Sequence, residues 1–379
     1  MPPVDPSLNS DPNPDLTFAN FSGLKNTVSP ERLTAAELAK AVNVDIDDAG
    51  QLRRRRGYRK VLAGDFHSGF QSQGGKVYAV MNNNLVLVTP GYTTQVLKVG
   101  VNANPEAGQD PLCWAEVGDT IYYSSRSDSG KIVNDVVLSW GAQNDAGLWL
   151  SPVVSPTPTL APIRGKLLGR PPMATQMTYF SGRLYMAVGN VLWATELYLY
   201  DYVDKTRTYW IYEGEITLLG TVSDGIYVGT DQDLWFMTGP TIKEFKRTVI
   251  MDSAVIPGSM VDIPAELANP PQVPAISDTP LKISIAFLTT TGFCVAQDGG
   301  QAYNLTEDKF IFPDAVRAAA MWRRQDGVNQ YVAVTDSEGS PTDAARFGDY
   351  VDAEIIRGGS WRDLNDGVII GDQVSAVIV

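Results

Sequence analysis

The sequence contains a single histidine, His67, in 379 residues. Catalytic sites that combine a histidine base with further histidines, and metal centres rich in imidazole, therefore have few of the side chains they need. His67 lies in the segment GDFHSGF, where aromatic and glycine neighbours indicate a loop or a strand edge. We interpret it as a structural or solvent-exposed residue.

Cysteine and long apolar runs are also scarce. Cys113 and Cys294 are far apart and no CxxC spacing occurs, which excludes zinc ribbons and thioredoxin-like sites. Both have apolar neighbours and are predicted to be small buried residues of a protein made in a reducing compartment. The first residues, MPPVDPSLNSDPNPDL, lack the basic and apolar regions of a signal peptide, so we expect no secretion leader. No apolar run approaches about 18 residues, so no membrane insertion is expected.

Acidic residues outnumber basic ones by 43 to 30, giving a net charge of −13. A field of this sign repels nucleic-acid phosphates, which argues against a protein that coats nucleic acid. The GxSxG, GxxxxGK[ST], HExxH and Rossmann glycine motifs are absent. Acidic residues are too numerous for sequence proximity to select a glycosidase pair. We therefore predict no enzymatic activity and no cofactor.

The first 62 residues divide into an arm and a leading segment. Residues 1–17 hold five prolines and are predicted to form an extended arm. In the leading segment, residues 18–62, SPERLTAAELAKAV predicts a helix with Ser29 as N-cap and Pro30 at the first helical position, ending near Asn43. An alternating pattern then predicts a hairpin of residues 44–46 and 52–62. The DIDDAG turn between them resembles a calcium loop but has Ala49 and Arg56 at two positions that require ligands, so we predict no metal site.

From residue 63 to 379 the pattern is that of strands, and it repeats. An aliphatic–tyrosine pair recurs, followed after a polar turn by Leu and then Val or Trp; the copies begin at Val77, Leu184 and Ile226, with weaker ones at Phe293, Ile121 and Asn329. The shorter spacings match a four-stranded propeller blade of about 40–50 residues. Proline-rich insertions at about 151–170 and 254–281 account for the longer spacings. We predict that the aromatic residues of the repeats fill the core between blades.

The predicted fold is therefore all-β: a β-propeller of five to six blades with a short N-terminal helix, an extended arm and two proline-rich insertions. A β-sandwich or two stacked barrels is the alternative. The C-terminal SAVIV is predicted to pair with an N-terminal strand and close the ring.

One basic cluster stands out in this acidic chain. It consists of Arg53, Arg54, Arg55, Arg56, Arg59 and Lys60. Along a strand, Arg53 and Arg55 would point to one side and Arg54 and Arg56 to the other. The cluster could protect an edge strand from aggregation, form salt bridges to an acidic neighbouring subunit, or contact phosphate.

The leading segment resembles a known family. The order FSGLKN, a short helix ending in NVD, and then GQLRRRRGY is similar to the opening of tail nozzle proteins (tail tubular protein B-like) of short-tailed bacteriophages. The resemblance implies a β-propeller whose six copies form a ring at the distal end of the tail, with double-stranded DNA passing through the lumen. It also implies docking to tail adaptor proteins, contacts with needle or fibre proteins, and a place in the virion after synthesis in the host cytoplasm.

Two other functions stay open at this point. One is a propeller-type glycan- or receptor-binding tail protein. The other is a propeller glycosidase or lyase.

Overall fold

A computed structural model describes residues 21–39, 44–46, 50–54, 61–64, 66–101, 111–141, 168–239, 244–263, 284–307, 309, 315–325, 328–336 and 374–378. The chain divides into two compact units. The first comprises Met1–Tyr58 with Asp308–Ile311, and the second comprises Arg59–Glu307 with Phe312–Val379. The predicted arm, residues 1–17, lies outside the described residues, as do residues 142–167 and 264–283 of the predicted insertions.

The predicted N-terminal helix is wrong. Ser29 makes no side-chain cap, Pro30–Arg32 form only a single 3-10 turn, and Leu33 is already extended. The chain then enters strand β2 (Glu37–Leu38), which pairs in parallel with β1 (Gly23–Leu24). No α-helix occurs in the described part of the chain.

Side-chain contacts explain why the helical pattern is overridden. The Lys25 ammonium donates to the Glu37 carboxylate at 2.8 Å, and the Thr34 backbone N–H donates to the same carboxylate at 2.9 Å. The bond from Lys25 lowers the pKa of Glu37 to about 2, with the backbone bond adding to the effect. These contacts hold an extended segment in a sequence whose apolar helical stripe is narrow, so tertiary pairing outweighs helix propensity.

The predicted hairpin is confirmed in its first part. Strand β3 (Val44–Ile46) pairs antiparallel with β4 (Leu52–Arg54). The second strand was expected to continue to residue 62, but Val61 and Leu62 are not in a strand, and residues 55–60 lie outside the described part.

The described residues of the second unit form six consecutive antiparallel sheets. Four of them are four-stranded meanders in chain order, the third has six strands, and the sixth has three. The first sheet holds β5 (Phe66–Gln71), β6 (Val77–Met81), β7 (Asn84–Val88) and β8 (Thr94–Val99); the second holds β9 (Cys113–Val117), β10 (Thr120–Ser124), β11 (Ser129–Val133) and β12 (Val136–Leu138); the third holds β13 (Leu168–Gly169), β14 (Gln176–Phe180), β15 (Arg183–Val188), β16 (Val191–Glu196), β17 (Leu199–Asp204) and β18 (Tyr209–Ile211).

The remaining sheets complete the series. The fourth holds β19 (Ile216–Val222), β20 (Gly225–Thr230), β21 (Leu234–Thr238) and β22 (Lys246–Met251); the fifth holds β23 (Val261–Ile263), β24 (Ser284–Thr289), β25 (Gly292–Gln297) and β26 (Gln301–Asn304); the sixth holds β27 (Arg317–Gln325), β28 (Val328–Asp336) and β29 (Val374–Ile378). The all-β class is confirmed, and these sheets resemble the blades of a propeller.

Within the described residues the C-terminal strand pairs with a strand of its own sheet, and its predicted pairing with an N-terminal strand stays a prediction. Strand β29 pairs antiparallel with β28, its neighbour in the sixth sheet, in the register Val332↔Ile378 to Asp336↔Val374. The β27–β28 hairpin presents the second edge of β28 to β29. The backbone N–H and C=O groups of β29 on that side are therefore hydrogen-bonded to β28.

The repeat found in the sequence corresponds to a fixed place in the sheets, with one exception. The tyrosine of the repeat lies on the second strand of a meander in five sheets: Tyr78, Tyr122, Tyr185, Tyr227 and Tyr331. The copy at Phe293–Cys294 lies instead on β25, the third strand of the fifth sheet. The first strand of that sheet, β23, lies inside the second predicted insertion, so the repeat begins one strand later.

The core forms between successive sheets. Apolar clusters join the first sheet to the second around Tyr123, the second to the third around Tyr122, the third to the fourth around Tyr185, and the fourth to the fifth around Tyr227. The Tyr331 ring of the sixth sheet lies 4.7 Å, centroid to centroid, from Phe293 of the fifth. The prediction that the repeated aromatic residues fill the core between sheets is confirmed.

Candidate functional site

The basic cluster begins on an exposed strand of the first unit. Leu52, Arg53 and Arg54 are all exposed on β4, and Arg53 lies opposite Asp45 in the backbone register of the hairpin. The two arginines of the cluster that lie within the described residues are therefore both solvent-exposed. The other members of the predicted cluster, Arg55, Arg56, Arg59 and Lys60, lie outside the described residues.

His67 lies in an irregular part of β5. Its Nδ1 is 2.8 Å from the Ser68 hydroxyl, and that hydroxyl also accepts a hydrogen bond from the Leu112 backbone N–H at 2.9 Å. The Trp114 indole donates to the Ser68 carbonyl at 3.1 Å. Ser68 is thus occupied in joining β5 to the second sheet, and these contacts fit the structural role predicted for His67. Within the described ranges no group of three or more His, Cys, Asp and Glu residues could hold a metal ion.

Both cysteines are free thiols. Cys294 is fully buried, and burial raises its pKa to about 12. Cys113 is half-buried, with its Sγ 3.2 Å from the Ser124 carbonyl oxygen. Because a nucleophilic cysteine has to ionise near neutral pH, Cys294 is unsuited to that role.

Ion pairs join neighbouring sheets around their outer strands. Lys98 of β8 donates to both carboxylate oxygens of Asp128 in the second sheet, at 2.6 and 2.7 Å. Lys131 of β11 donates to both carboxylate oxygens of Asp201 on β17 of the third sheet, at 3.0 and 2.9 Å. Lys98 and Lys131 therefore neutralise acidic residues of the second unit and do not add to a positive surface.

Three of the repeated tyrosines also bond across a junction through their hydroxyls. Tyr78 donates to Asp135 at 2.9 Å, Tyr227 to the Gln297 carbonyl at 2.5 Å, and Tyr331 to the Ser259 carbonyl at 2.6 Å. Lys76 donates to the same Asp135, and that hydrogen bond is the main reason why the pKa of Asp135 is lowered. The sheets are thus fastened to one another by buried polar contacts as well as by apolar packing.

The outer turns, which join the third and fourth strands of each meander, differ in a way that the repeat did not indicate. In the second sheet the turn residues with positive φ are Asn134 and Asp135, and in the fifth they are Gly299 and Gly300. Asn, Asp and Gly are the residues that tolerate this conformation. These two turns are also bonded to the preceding sheet, Asp135 to Lys76 and Gly299 to Asp224.

In the first and third sheets the corresponding position holds a tyrosine. Tyr92 has φ 56 and Tyr198 has φ 57, and their side chains are 56% and 69% exposed. A bulky residue with positive φ is a true conformational outlier, and it costs about 1–3 kcal/mol that the surrounding structure has to supply. The outer turn of the fourth sheet spans residues 239–245, of which 240–243 lie outside the described part.

Local contacts hold the Tyr198 turn in place. The Tyr198 backbone N–H donates to the Gly182 carbonyl at 2.8 Å. Gly182 has φ +80, and a Cβ there would come within 2.9 Å of both Leu197 and Tyr198 side chains. Leu197, Tyr198 and Leu199 therefore form a fixed apolar projection that exposes all three side chains. We call residues 197–199 the apolar tip.

Three further exposed apolar side chains lie on the outer turn and outer strand of the first sheet. The Tyr92 N–H donates to the Thr89 carbonyl at 2.9 Å, and the Thr89 N–H donates to the Thr93 carbonyl at 2.8 Å, which closes the hairpin. On the following strand β8, Val96 and Val99 are exposed. We call Tyr92, Val96 and Val99 the outer-strand patch. Sequence reasoning missed both surfaces; the available signal was a hairpin tip, Leu197-Tyr198, with none of the usual turn residues.

No helix of the described residues has the length and apolar character needed to cross a membrane.

Comparisons with known proteins identify no family. No family description matches the sequence, and no curated protein matches it. Among solved structures, similarity is found to the Neurospora crassa Pan2 WD40 domain, with 10% identity, 73% of each chain covered and a TM-score of 0.40. It is also found to a catalytically inactive virginiamycin B lyase from Staphylococcus aureus, with 11% identity, 76% of this chain and 83% of the other covered, and a TM-score of 0.38.

A third similar structure is the extracellular domain of a one component system from B. thetaiotaomicron, with 14% identity, 72% of this chain covered and a TM-score of 0.42. The chain spans 31% of the length of that protein. Similarities of this size do not assign a function.

Proposed function

We propose that this chain is a structural virion protein that forms a homohexameric ring at the end of a short phage tail. Its second unit would close into a six-bladed propeller, with the six described sheets as blades. The ring would dock to tail adaptor proteins, hold needle or fibre proteins, and let double-stranded DNA pass through its lumen during ejection. No bond chemistry is part of this role.

The observation that carries the proposal is the leading segment. The sequence order FSGLKN, then NVD, then GQLRRRRGY is the pattern that resembles tail nozzle proteins. The strand Leu52–Arg54 at the end of this pattern is exposed, so its arginines are accessible to a neighbouring subunit or to phosphate.

The charge of the chain supports a conduit. A net charge of −13 on each copy would repel DNA from most of the ring wall. DNA would then slide without being held, since phosphate contacts made by arginine and lysine are what anchor a protein on DNA. The exposed Arg53 and Arg54 would provide either a narrow positive belt or bridges to an acidic neighbour.

Electron microscopy of the purified protein and of the virion tests the proposal directly. A six-fold ring with a central hole is the expected result, and particles without such a ring at the tail would refute it. Charge reversal by Arg53→Glu with Arg54→Glu tests the basic strand. Particles of this variant should assemble poorly or eject DNA slowly, whereas the control Lys246→Glu, at an exposed position on β22, should behave as wild type.

One observation favours a second function. Exposed tyrosines such as Tyr92 and Tyr198 can stack on sugar rings, as expected of a glycan- or receptor-binding tail protein. Binding of the isolated protein to a glycan array, lost on replacement of these tyrosines, would support that function over the ring.

A further inference from the structure

Two surfaces of the second unit have the same unusual combination of features. The apolar tip and the outer-strand patch each present an exposed tyrosine at positive φ together with exposed aliphatic side chains. The outer turns of the second and fifth sheets, in contrast, use Asn, Asp or Gly and are bonded to a neighbouring sheet. Among the described outer turns, the two with a tyrosine at positive φ are those of the first and third sheets, and strain of this kind is found where a protein has a functional surface.

The second sheet also exposes aliphatic residues on its outer strand. Leu138 pairs with Lys131 in the backbone register of β11 and β12, and Lys131 bonds to Asp201, two residues after Leu199. Val136 and Leu138 are both exposed on β12. The Lys131–Asp201 ion pair occupies the junction of the second and third sheets, so the exposed residues of β12 are not part of the tip.

We propose that the apolar tip of one copy of this chain packs on the outer-strand patch of the next copy, and that this head-to-tail contact builds the ring. The inference rests on the ring proposed above and names the surfaces that form it. A closed ring of identical subunits requires two different patches on each subunit, and the tip and the outer-strand patch are two such patches on different sheets.

Charge favours this pairing over contacts elsewhere on the surface. Copies with a net charge of −13 repel one another, and burying a charge at the contact would add a desolvation cost. None of the residues of the tip or the outer-strand patch is charged. Tyrosine is also among the residues that contribute most to binding when they are buried at a contact, and a rigid turn loses little entropy on binding.

The positions of the two patches agree with a six-membered ring. Evenly spaced blades of a six-bladed propeller would place the outer strands of the first and third sheets about 120° apart. The two neighbours of a subunit in a ring of six also lie about 120° apart. A ring axis parallel to the propeller axis would therefore bring the tip of one copy to the patch of the next.

Replacement of each tyrosine by glycine separates a binding role from a folding role. Because glycine adopts positive φ freely, Tyr92→Gly and Tyr198→Gly should keep or raise the melting temperature, compared at a concentration at which the wild type is also monomeric. Each should nevertheless weaken association by about 30-fold or more, as expected for a central contact residue, and be monomeric at concentrations where the wild type forms rings. Asn134→Gly is the matched control: Asn134 is exposed, has φ 51, and lies in the outer turn of the second sheet, so this variant should form normal rings.

Mixing the two variants tests the direction of the contact. Tyr92→Gly retains the tip and Tyr198→Gly retains the patch, so one copy of each can form a single contact. Light scattering of the equimolar mixture should show a dimer, and no larger species, while each variant alone stays monomeric.

Several results would overturn the assignment. Rings formed by either variant would refute it, and so would a lower melting temperature with aggregation, because the tyrosine would then serve folding. A dimer formed by Tyr92→Gly alone would indicate a symmetric tip-to-tip contact. If the wild type forms no ring at all, the proposed function fails, whereas normal rings of the wild type and of both variants refute only these surfaces.

Discussion

Replacing Tyr227 with phenylalanine isolates the contribution of one hydroxyl to the junction of the fourth and fifth sheets. Tyr227 is fully buried, and its hydroxyl lies 2.5 Å from the Gln297 carbonyl and 3.1 Å from the Gln301 carbonyl. Its ring packs against Phe236 at 4.8 Å, a contact that phenylalanine keeps. The substitution therefore removes hydrogen bonding while leaving the apolar packing in place.

The expected loss follows from the burial of the acceptors. A hydrogen bond contributes about 0.5–1.5 kcal/mol net, and an acceptor left without a partner away from water adds to the loss. We expect Tyr227→Phe to lower the free energy of unfolding by about 1–2 kcal/mol. Tyr185→Phe is the matched control, because Tyr185 is 1% exposed at the equivalent place in the third sheet and no hydrogen bond of its hydroxyl is found within the described part of the chain. Its loss should be below about 0.5 kcal/mol.

Urea unfolding followed by tryptophan fluorescence and by circular dichroism measures both losses. The slope of the free energy against urea should be unchanged, so that the midpoint alone reports stability. Equal losses for the two variants, or no loss for Tyr227→Phe, would show that the hydroxyl bond across the junction does not stabilise the fold.

Three further predictions concern reactivity, pH and packing. Because burial raises the pKa of the Cys294 thiol to about 12, iodoacetamide should modify Cys113 first and Cys294 only on unfolding, as mass spectrometry would show. Burial raises the pKa of core tyrosines above the usual value of about 10, so they stabilise the fold below that pH, and the stability is lost as the pH rises toward the folded values; tyrosinate absorbance and circular dichroism should change together in this range. A Cβ at Gly130 would overlap the Tyr123 ring and hydroxyl, so Gly130→Ala should cost about 1–3 kcal/mol of unfolding free energy, whereas Gly74→Ala, where the nearest atom is 3.8 Å away, should be neutral in the same urea assay.

The sheets could be predicted because their signal is local and repeated. The aliphatic–tyrosine pairs mark second strands in five of the sheets, and central strands such as β20 are buried along their whole length, which gives the short apolar runs of the repeat. The fifth sheet departs from the rule because β23 pairs with β24 across residues 264–283, and such a distant pairing leaves no periodic trace.

The helix prediction was wrong because the structure of this segment is decided by contacts between residues distant in sequence. Pro30 and Glu31 are good residues for a first helical turn, and a 3-10 turn does form there. The continuation depends on contacts distant in sequence, chiefly the parallel pairing of Glu37 with Gly23 and the Lys25–Glu37 ion pair. Local preference carries no information about either contact.

Of the candidate surfaces, the sequence predicts the basic strand but not the apolar tip. A run of arginines is visible in any sequence, and its exposure at Arg53 and Arg54 agrees with an accessible strand. The apolar tip was not visible, because a tyrosine at positive φ is imposed by the hairpin and by the Gly182 contact, not by its own preference.

The order of the junctions has a consequence during synthesis. Each of the first five described sheets of the second unit packs apolar side chains against the sheet that follows it in the chain, as Tyr78 and Val80 do against the second sheet. A ribosome that has just completed one sheet therefore carries a nascent chain with one uncovered apolar face until the next forty or so residues emerge. Each newly made sheet exposes an apolar face until the next sheet covers it. We therefore expect chaperones to be needed at regular intervals during translation, with a spacing set by the length of one sheet.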